Sequence, residues 1–341
     1  MRYAYQDDFN NKKLSKIYAI MIYMTNILVT GSLAFDYIMD YQGLFSDNIM
    51  PDNIHKINLS FLLNTLKKER GGTAGNIAYT LALLKSQVAI FAAAGNDFLE
   101  YGTFLKQAGI DTSHIQISKD KKTASAFIMT DKTDNQITGF YPGAMTDSVD
   151  YSLKDLAQKP DFIIISPNTP AAIIKQSEEC RQLNVPFMID MGMQLPALTS
   201  DEIKKIIQKA KILIGNDYEI DLLKKKASLS EEDLLEQVEV IITTLGANGS
   251  QIKTKAETFA IKPAKPKEVI DPTGAGDAYR SGFMAGLVRD FDLKICGQMG
   301  SVTSSFAIEK YGTQNHQFTI NEFQDRYVQN FGSPLPSFWG A

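Results

Sequence analysis

The stretch Asp271-Pro272-Thr273-Gly274-Ala275-Gly276-Asp277, near the C-terminal end of the chain, decides how the whole sequence is interpreted. It follows an extended run ending at Ile270 and precedes Ala278–Leu287, where apolar residues recur at helical spacing. The glycines therefore lie where a helix begins. Free backbone N–H groups and the positive end of the helix dipole form an anion site there. Neither glycine has a Cβ atom that would keep a phosphate away.

Asp277 supports two interpretations at this stage. In an isolated Gly-x-Gly-Asp pattern, the carboxylate would most often only favour the start of the helix. However, a bound phosphate and a carboxylate would repel each other unless a reaction takes place between them. A substrate hydroxyl placed there would meet a proton acceptor on one side and a transferable phosphoryl group on the other. The pattern therefore predicts a kinase without a P-loop, with Asp277 as its base.

Composition and charge narrow the class of protein. The chain has 341 residues, enough for one large domain, and its net charge of −4 argues against nucleic acid or an anionic membrane as a partner. Its two cysteines form no CxxC pattern, which is typical of a reduced, cytoplasmic protein. The three histidines have no metal-ligand spacing, so we expect no His/Cys metal site. A small-molecule substrate is the expected partner.

The N-terminus precedes the predicted domain. Basic residues come before the apolar run Ile17–Met24, which faintly suggests a signal peptide. That run is too short to span a bilayer, and no small-residue cleavage site follows it. A buried strand is predicted at once, from Asn26. We expect residues 1–23 to be an extension without a function, and residues 24–341 to form the domain.

The second half of the chain alternates between apolar strands and helices. The predicted strands are Phe162–Ile165, Phe187–Ile189, Ile212–Ile214 and Val240–Thr243. Such alternation predicts right-handed βαβ crossovers and a mostly parallel sheet in an α/β fold. Ligands of these sheets bind at the C-terminal ends of the strands.

The first half carries two glycine-containing motifs. Ile27–Val29 predicts a strand ending at Gly31, and Asp36 follows five residues later. This could be half of a dinucleotide-binding fingerprint, but the second and third glycines are missing. Further along, Arg70–Asn76 leads through glycines into a strongly apolar helix. Alone, this motif is equally typical of a flexible loop before a buried helix.

Two more motifs follow predicted strands in the second half. Asn216–Glu219 comes after one strand and reads most simply as an acidic helix start. Mg²⁺ favours oxygen ligands and is coordinated largely by substrate phosphates, so these residues could also contribute to a magnesium site. Thr244–Gly249 comes after the next strand and could be a turn from which Ser250–Lys253 pairs back.

Together these motifs resemble those of the ribokinase-like (PfkB) family of carbohydrate and nucleoside kinases. The resemblance covers about residues 26–314. The motifs that carry it, in chain order, are Gly-Gly-x-x-x-Asn at Gly71–Asn76, Asn-x-x-Glu at Asn216–Glu219, Thr-x-Gly-x-x-Gly at Thr244–Gly249 and the string Asp271–Asp277. It implies a three-layer α/β/α domain with a mostly parallel central sheet. It also implies a small β-sheet lid, formed by about residues 37–66 and 123–142, through which two copies would pair as a homodimer.

The resemblance also assigns roles residue by residue. The amides of Gly274, Ala275 and Gly276 would form the anion hole, with Asp277 as catalytic base. The substrate would be bound by Ser32, Asp36, Gly72, Asn76, Phe140 and Gln194. ATP would be bound by Asn216, Thr244, Gly246, Gly249, Gly274 and Gly276. Glu219 would hold Mg²⁺ through water, and Asp271 and Thr273 would hold a monovalent cation such as K⁺.

Within the family, the resemblance is to the branch of bacterial adenosine kinases, which implies ATP-dependent phosphorylation of the adenosine 5′-hydroxyl in purine salvage. Phe140 would stack on the base. Where that branch has a second lid aromatic, this sequence has Ala126, next to Phe127. Where that branch has a pair of glutamines, this sequence has Met193-Gln194. Ribose, fructose, inosine and guanosine therefore stay open as acceptors. Two other classes also stay open, a nucleotide-dependent oxidoreductase and a catalytically silent binding protein.

Overall fold

The structure of the protein, a computed structural model, describes residues 26–49, 58–133 and 135–336. The predicted N-terminal extension lies outside the described residues. The strands are β1 (Ile27–Thr30), β2 (Ala34–Tyr41), β3 (Leu63–Gly71), β4 (Val88–Ala94), β5 (Ile115–Ile117), β6 (Ala124–Thr130), β7 (Gln136–Tyr141), β8 (Phe162–Ile165), β9 (Phe187–Ile189), β10 (Ile212–Asn216), β11 (Val240–Thr244), β12 (Ser250–Lys253) and β13 (Thr258–Ile261). The helices are α1 (Thr73–Leu83), α2 (Leu99–Gln107), α3 (Pro170–Leu183), α4 (Ser200–Ile207), α5 (Asp217–Ala227), α6 (Glu231–Gln237), α7 (Ala275–Leu287), α8 (Leu293–Ala307) and α9 (Ile320–Phe331).

The central sheet has nine strands in the order β13-β12-β11-β10-β9-β8-β1-β4-β5. The seven from β11 to β5 are parallel, and β12 and β13 add an antiparallel edge. Parallel strands covered by helices on both faces read as continuous apolar runs. Strand β4 shows this pattern, because all seven of its residues are buried.

Helices cover both faces of this sheet. On β1, Ile27 and Val29 belong to one buried apolar cluster and Leu28 belongs to another. The first cluster contains residues of α1, α2, α7, α8 and α9, and the second contains residues of α3, α4, α5 and α6. Successive strand residues face opposite sides of a sheet, so the two clusters are the two helical layers. The predicted three-layer α/β/α fold is confirmed.

A second sheet of four strands, in the order β3-β2-β6-β7, stands beside the first. The predicted hairpin is present as β6 and β7, whose pairing closes at Thr130 and Gln136. Strands β2 and β6 join in parallel, and β2 and β3 are antiparallel. Strand β2 begins at Ala34 and strand β3 ends at Gly71, so this part of the sheet extends beyond the predicted segment 37–66 at both ends. Every residue of β7 is exposed.

None of the helices in the described ranges is long and apolar enough to cross a membrane.

Candidate active site

Helix α7 begins with backbone N–H groups that no side chain caps, although the Ala275 N–H donates to the Pro272 carbonyl at 3.2 Å. Its N-cap residue, Gly274, has φ of 79° and ψ of −1°, and no side chain caps the helix. Helix geometry leaves the N–H groups of the first turn, which includes Gly276, without intrahelical acceptors. At Gly274 a Cβ atom would lie 3.0 Å from the Thr313 side chain, so the turn is both left-handed and closely packed. The structure thus places the predicted anion site at a helix start that suits an anion.

Asp277 lies in the first turn of α7 with only 12% of its side chain exposed. Its Oδ2 accepts a hydrogen bond of 2.8 Å from the Asn76 amide, and its Oδ1 lies 3.8 Å from a guanidinium nitrogen of Arg280. Burial raises the pKa of Asp277, and Arg280 and Asn76 act against that rise. A carboxylate with a raised pKa is a better proton acceptor than an ordinary aspartate.

Asn76 is held in one orientation. Its Oδ1 accepts hydrogen bonds from Thr313 Oγ1 at 2.8 Å and from Gln314 Nε2 at 2.9 Å. The Tyr101 hydroxyl lies 2.5 Å from the same Gln314 nitrogen and donates to the Gly71 carbonyl at 2.9 Å. With its oxygen occupied, Asn76 can only turn its NH₂ group towards Asp277. The predicted substrate-binding residue is thus also a partner of the predicted base.

Sequence reasoning missed Arg280 and Asp190. Arg280 lies one helical turn after Asp277, and its guanidinium forms an ion pair of 2.5 Å with Asp190, which follows strand β9. Burial raises the pKa of Asp190, while burial alone would lower the pKa of Arg280. The carboxylates of Asp190, Asp277 and Glu219 outweigh that effect and raise the pKa of Arg280. The i, i+3 spacing from Asp277 and the acid after a buried strand were the available signals.

Ser32 and Gly72 lie where β1 meets α1. The Ser32 hydroxyl accepts a hydrogen bond of 3.0 Å from the Thr73 N–H, so it ties down the start of α1. At Gly72, φ is 86° and a Cβ atom would lie 2.6 Å from the Ala34 nitrogen. Both residues therefore shape the backbone beside the site. Their predicted contacts with substrate stay predictions.

Asp36 and Phe140 lie on the same face of the small sheet. Asp36 on β2 pairs with Ala126 on β6, which pairs in turn with Phe140 on β7. Directly opposed residues of neighbouring strands share a face, and two strand spacings amount to about 10 Å. The small side chain of Ala126 lies between the carboxylate and the ring. Phe127 points to the other face, where it stacks on Tyr37 with ring centroids 5.0 Å apart.

The surroundings of Asp36 disfavour its charged form. Burial, and after it the charges of Glu69 and Asp271, raise the pKa of Asp36 to about 6. Glu69 is the partner of Asp36 on strand β3. A carboxylate in such a place gains most from neutral hydrogen-bond donors, because they stabilise its charge without needing a counter-ion. The hydroxyl groups of a sugar are donors of that kind.

Asn216 and Glu219 form the start of helix α5. The Asn216 side chain accepts from the Glu219 N–H, and the Glu219 Oε2 accepts from the Asn216 N–H, each at 2.8 Å. This reciprocal arrangement is a capping box. It leaves Glu219 Oε1 outside the box. The simpler interpretation of this motif, an acidic helix start, is therefore correct, and its predicted role with Mg²⁺ and ATP stays a prediction.

The segment Thr244–Gly249 links antiparallel strands β11 and β12, as the simpler interpretation had it. Gly246 and Gly249 both have positive φ, 56° and 89°. A Cβ atom at Gly249 would overlap the backbone of β13, so only glycine fits there. The adjoining Ser250 hydroxyl lies 2.7 Å from the Tyr279 hydroxyl of α7, which places this turn next to the helix that carries Asp277.

The remaining predicted residues lie in nearby turns. Asp271 Oδ1 accepts from the Thr273 N–H at 2.9 Å, and its Oδ2 accepts from the Gly312 N–H at 3.0 Å. This carboxylate thus fastens the anion-site turn to a neighbouring segment. Gln194 lies in the 3₁₀ turn Gly192–Ala197, directly after Asp190 and Met191. The structure therefore places it at the same strand end as the partner of Arg280.

No group of three or more potential ligands among the described residues could hold a metal ion alone. A magnesium ion at this site would be held mainly by nucleotide phosphates and water, with Glu219 as an outer contact. The arrangement therefore places a buried carboxylate, the predicted base, beside an uncapped helix start, the predicted anion site. Such chemistry fits phosphoryl transfer, which depends on positioning and charge stabilisation.

Comparisons with known proteins identify the family of this chain. Residues 24–319 match the family described as pfkB family carbohydrate kinase. The chain is 31% identical over 315 residues to a nucleoside kinase of Methanothermobacter thermautotrophicus, covering 91% of this chain and 98% of that one. The structure of the Burkholderia thailandensis nucleoside kinase in complex with inosine superposes with a TM-score of 0.82 at 34% identity, covering 90% of this chain and 99% of that one. The Methanocaldococcus jannaschii nucleoside kinase gives a TM-score of 0.82 at 30% identity, with 90% and 99% covered. This chain belongs to the pfkB family of carbohydrate kinases.

Proposed function

We propose that the protein transfers the γ-phosphoryl group of ATP to the 5′-hydroxyl of a purine nucleoside, with adenosine and inosine both as acceptors. The observation that carries the proposal is the buried Asp277 carboxylate, held by Asn76 at the uncapped start of helix α7. The nucleoside kinases to which the chain is similar, one of them in complex with inosine, support a nucleoside over a free sugar.

In this reaction the 5′-oxygen forms a bond to the γ-phosphorus, and the bond from that phosphorus to the β–γ bridging oxygen breaks, releasing ADP. Asp277 accepts the hydroxyl proton as that bond forms. The N–H groups of Gly274 and Gly276 stabilise the charge on the phosphoryl oxygens, joined by that of Ala275, which donates to the Pro272 carbonyl at 3.2 Å when no ligand is present. Most of the acceleration comes from positioning and charge stabilisation.

Nucleoside binding is assigned to the Asp36 face of the small sheet. Asp36 would accept hydrogen bonds from the ribose hydroxyls, and Phe140 would stack on the base, with Ala126 leaving room between them. Stacking is tolerant of base identity because every base has a π-face. A pocket that holds the purine in this way accepts either an amino or an oxo group at position 6, so we propose both acceptors. Gln194, in the turn after β9, is the remaining residue proposed to contact the substrate.

ATP is assigned to the side of α7 that faces the β11–β12 turn, with Asn216, Thr244, Gly246 and Gly249 around it. Bound Mg²⁺ would neutralise phosphate charge, with Glu219 contacting its water shell through the oxygen outside the capping box. Asp271 and Thr273, in the turn before the anion site, are the proposed neighbours of a monovalent cation such as K⁺.

The proposal is tested by an acceptor screen. ADP release would be measured with ATP, Mg²⁺ and K⁺ for adenosine, inosine, guanosine, cytidine, ribose and fructose. We expect the highest kcat/KM for adenosine and inosine, and a large loss for their 2′- and 3′-deoxy forms, because Asp36 would lose a donor. A free sugar that reacts better than any nucleoside would overturn the acceptor class while leaving the kinase assignment standing.

Phe140 provides a sharper test of the base site. Replacing Phe140 by Ala removes stacking of about 1–3 kcal/mol, which should raise the nucleoside KM roughly ten- to a hundredfold and leave the KM for ATP unchanged. Phe127→Ala is the matched control for the nucleoside KM, because Phe127 is 44% exposed against 47% for Phe140 but lies on the other face. If Phe140→Ala lowers the melting temperature without changing the nucleoside KM, Phe140 only packs within the sheet.

We also propose that two copies pair through the face of the small sheet opposite Asp36. Leu66, Phe127, Ile137 and Tyr141 share that face by register and are between 42% and 68% exposed. An exposed apolar patch of this kind marks an interaction surface. Light scattering should show a dimer for the native chain and a monomer for Phe127→Asp. A native monomer at micromolar concentration would contradict the proposal.

A further inference from the structure

Arg280 lies deeper in the site than its place in the sequence suggests. Side chains on a helix lean towards its N-terminus, so Arg280 reaches back along α7 past Gly276. A Cβ atom at Gly276 would lie 2.7 Å from the Arg280 Nη1, so the glycine makes room for the guanidinium. The guanidinium therefore lies beside the same first turn that carries Asp277 and the open N–H groups. The residue as a whole is 8% exposed.

The charges facing Asp277 come from several elements. On α7, Arg280 is the cation, 3.8 Å from Asp277 Oδ1. The acid after β9, Asp190, holds that cation from the other side, and Glu219 of α5 adds a third negative charge to the group. On α2, burial raises the pKa of the Tyr101 phenol, the charges of Asp36 and Asp277 add to that rise, and the phenol stays neutral. One cation is thus shared among three carboxylates.

A buried ion pair is not by itself an argument for stability, because desolvation of both charges can exceed their attraction. The Asp190–Arg280 pair is nearly fully buried, and within the described residues the Arg280 Nε has no hydrogen-bond partner. The Arg280 guanidinium is therefore under-satisfied in a site where a mobile anion is expected. A functional role would account for keeping a charge there.

We propose that Arg280 is a positioning residue for the phosphoryl transfer, anchored by Asp190, which holds Asp277 ionised and fixes the direction of its Oδ1. This inference rests on the proposed function, because it assumes that Asp277 is the base. Asn76 donates a hydrogen bond to Oδ2 of the same carboxylate, and Arg280 faces Oδ1 at an ion-pair distance, so the two contacts favour one orientation. Because Asp190 also pairs with Arg280, it reduces the stabilisation that the Arg280 charge gives to the Asp277 carboxylate.

In this arrangement, Arg280 and Asp190 change the pKa of Asp277 in opposite directions. An opposite charge within about 4–6 Å lowers the pKa of a carboxyl group by about 1–3 units, and a like charge raises it. Removing the Arg280 charge should therefore raise the pKa of Asp277. Removing the Asp190 charge frees Arg280 for Asp277 and takes away a like charge, so the pKa of Asp277 should fall. A base works only when ionised, so kcat/KM on the acid side follows that pKa.

The test is kcat/KM for adenosine against pH, by ADP release, for the wild type, Arg280→Met, Arg280→Lys and Asp190→Asn. We expect the acid limb of the kcat/KM profile to shift to higher pH by about one unit or more in Arg280→Met. In Asp190→Asn we expect it to shift to lower pH. Arg280→Lys should restore the wild-type limb in part. Arg289→Met is the matched control, since Arg289 is also partly buried but bonds near the far end of α7, to the Ala285 and Leu84 carbonyls, and the acid limb should not move.

Thermal melts separate this role from a structural one. If the acid limb stays in place or moves in the same direction in Arg280→Met and Asp190→Asn, while only the melting temperature falls, the pair is structural and the inference is wrong. If Arg280→Met does not fold, Arg280→Lys and Asp190→Asn still carry the test. Failure of the proposed function would look different, because Asp277→Asn would then be as active as the wild type.

Discussion

Helices α5 and α7 both begin beside the proposed phosphate site, yet their first turns are built differently. At α5, Asn216 and Glu219 satisfy each other's backbone N–H groups in a capping box. At α7 the N-cap is Gly274 in a left-handed conformation, and no side chain accepts from the first turn. The first helix satisfies its own donors with side chains, whereas in the second a backbone carbonyl, that of Pro272, accepts from the Ala275 N–H at 3.2 Å. The capping box of α5 therefore stabilises the fold, whereas the first turn of α7 is the one proposed to bind a ligand.

The other helices strengthen this contrast. Helices α4, α6 and α9 also begin with capping boxes. The helices that begin at a glycine, without a side-chain cap, are α1 and α7. These two helices meet at the hydrogen bond between Asn76 and Asp277. Helix α2 also lacks a side-chain cap, but its N-cap residue is Phe98. The two helix starts at a glycine both lie at the predicted site, where glycine would allow a close approach of backbone to ligand.

The largest effect is expected at Asp277, in the open first turn. Asp277→Asn keeps the shape of the side chain and a hydrogen bond to Asn76 but removes the proton acceptor. Turnover should fall by roughly 10²-fold or more, the usual scale for a general base, while binding of nucleoside and ATP changes little. Steady-state ADP release and calorimetric titration would measure the two effects. Turnover within a few-fold of the wild type would reject Asp277 as the base.

The sequence was sufficient to predict the fold, and it indicated the helix start that carries the predicted base. Continuous apolar runs such as Phe162–Ile165 indicate buried parallel strands, and the alternation with helices leaves few topologies. The glycine string Asp271–Asp277 indicates a helix start, because few other patterns place two glycines directly before an apolar helical face. These signals are local, so the neighbouring residues are enough to detect them.

The contacts that tune the site could not be predicted, because they are not local. Asn76 and Asp277 are 201 residues apart in the chain. The ion pair of Asp190 with Arg280 depends on how α7 packs against the end of β9, and no spacing rule gives that register. The sequence also does not show which lid residues share a face. Only the pairing of β2 with β6 and of β6 with β7 shows that Phe140 lies on the same side as Asp36 and that Phe127 lies on the other.

A smaller effect is expected at Gly274. In Gly274→Ala, a non-glycine residue must adopt φ of 79°, and its Cβ atom would press on Thr313. The left-handed conformation costs about 1–2 kcal/mol, and a shifted turn would misplace the donors, so kcat/KM should fall roughly tenfold. Gly332→Ala is the matched control, because Gly332 has φ of 77° at the end of α9 with nothing within 4 Å of a Cβ atom. Gly332→Ala should lower the melting temperature similarly and leave kcat/KM unchanged. If both variants lose activity to the same extent, the effect of Gly274→Ala is due to lower stability and not to displaced donors.

The smallest effect is expected at the capped helix. Glutamine at N3 can complete a capping box as glutamate does, so Glu219→Gln should keep the start of α5 intact while removing one negative charge. A charge that acts on Mg²⁺ through water should contribute about 0.5–1 kcal/mol, as exposed ion pairs do, so the Mg²⁺ concentration for half-maximal rate should rise roughly two- to fivefold. Glu202→Gln changes the equivalent residue in the capping box of α4 and should leave the Mg²⁺ titration unchanged. If both variants keep the wild-type Mg²⁺ dependence and melting temperature, Glu219 only caps its helix, and α5 contributes to the site through its backbone alone.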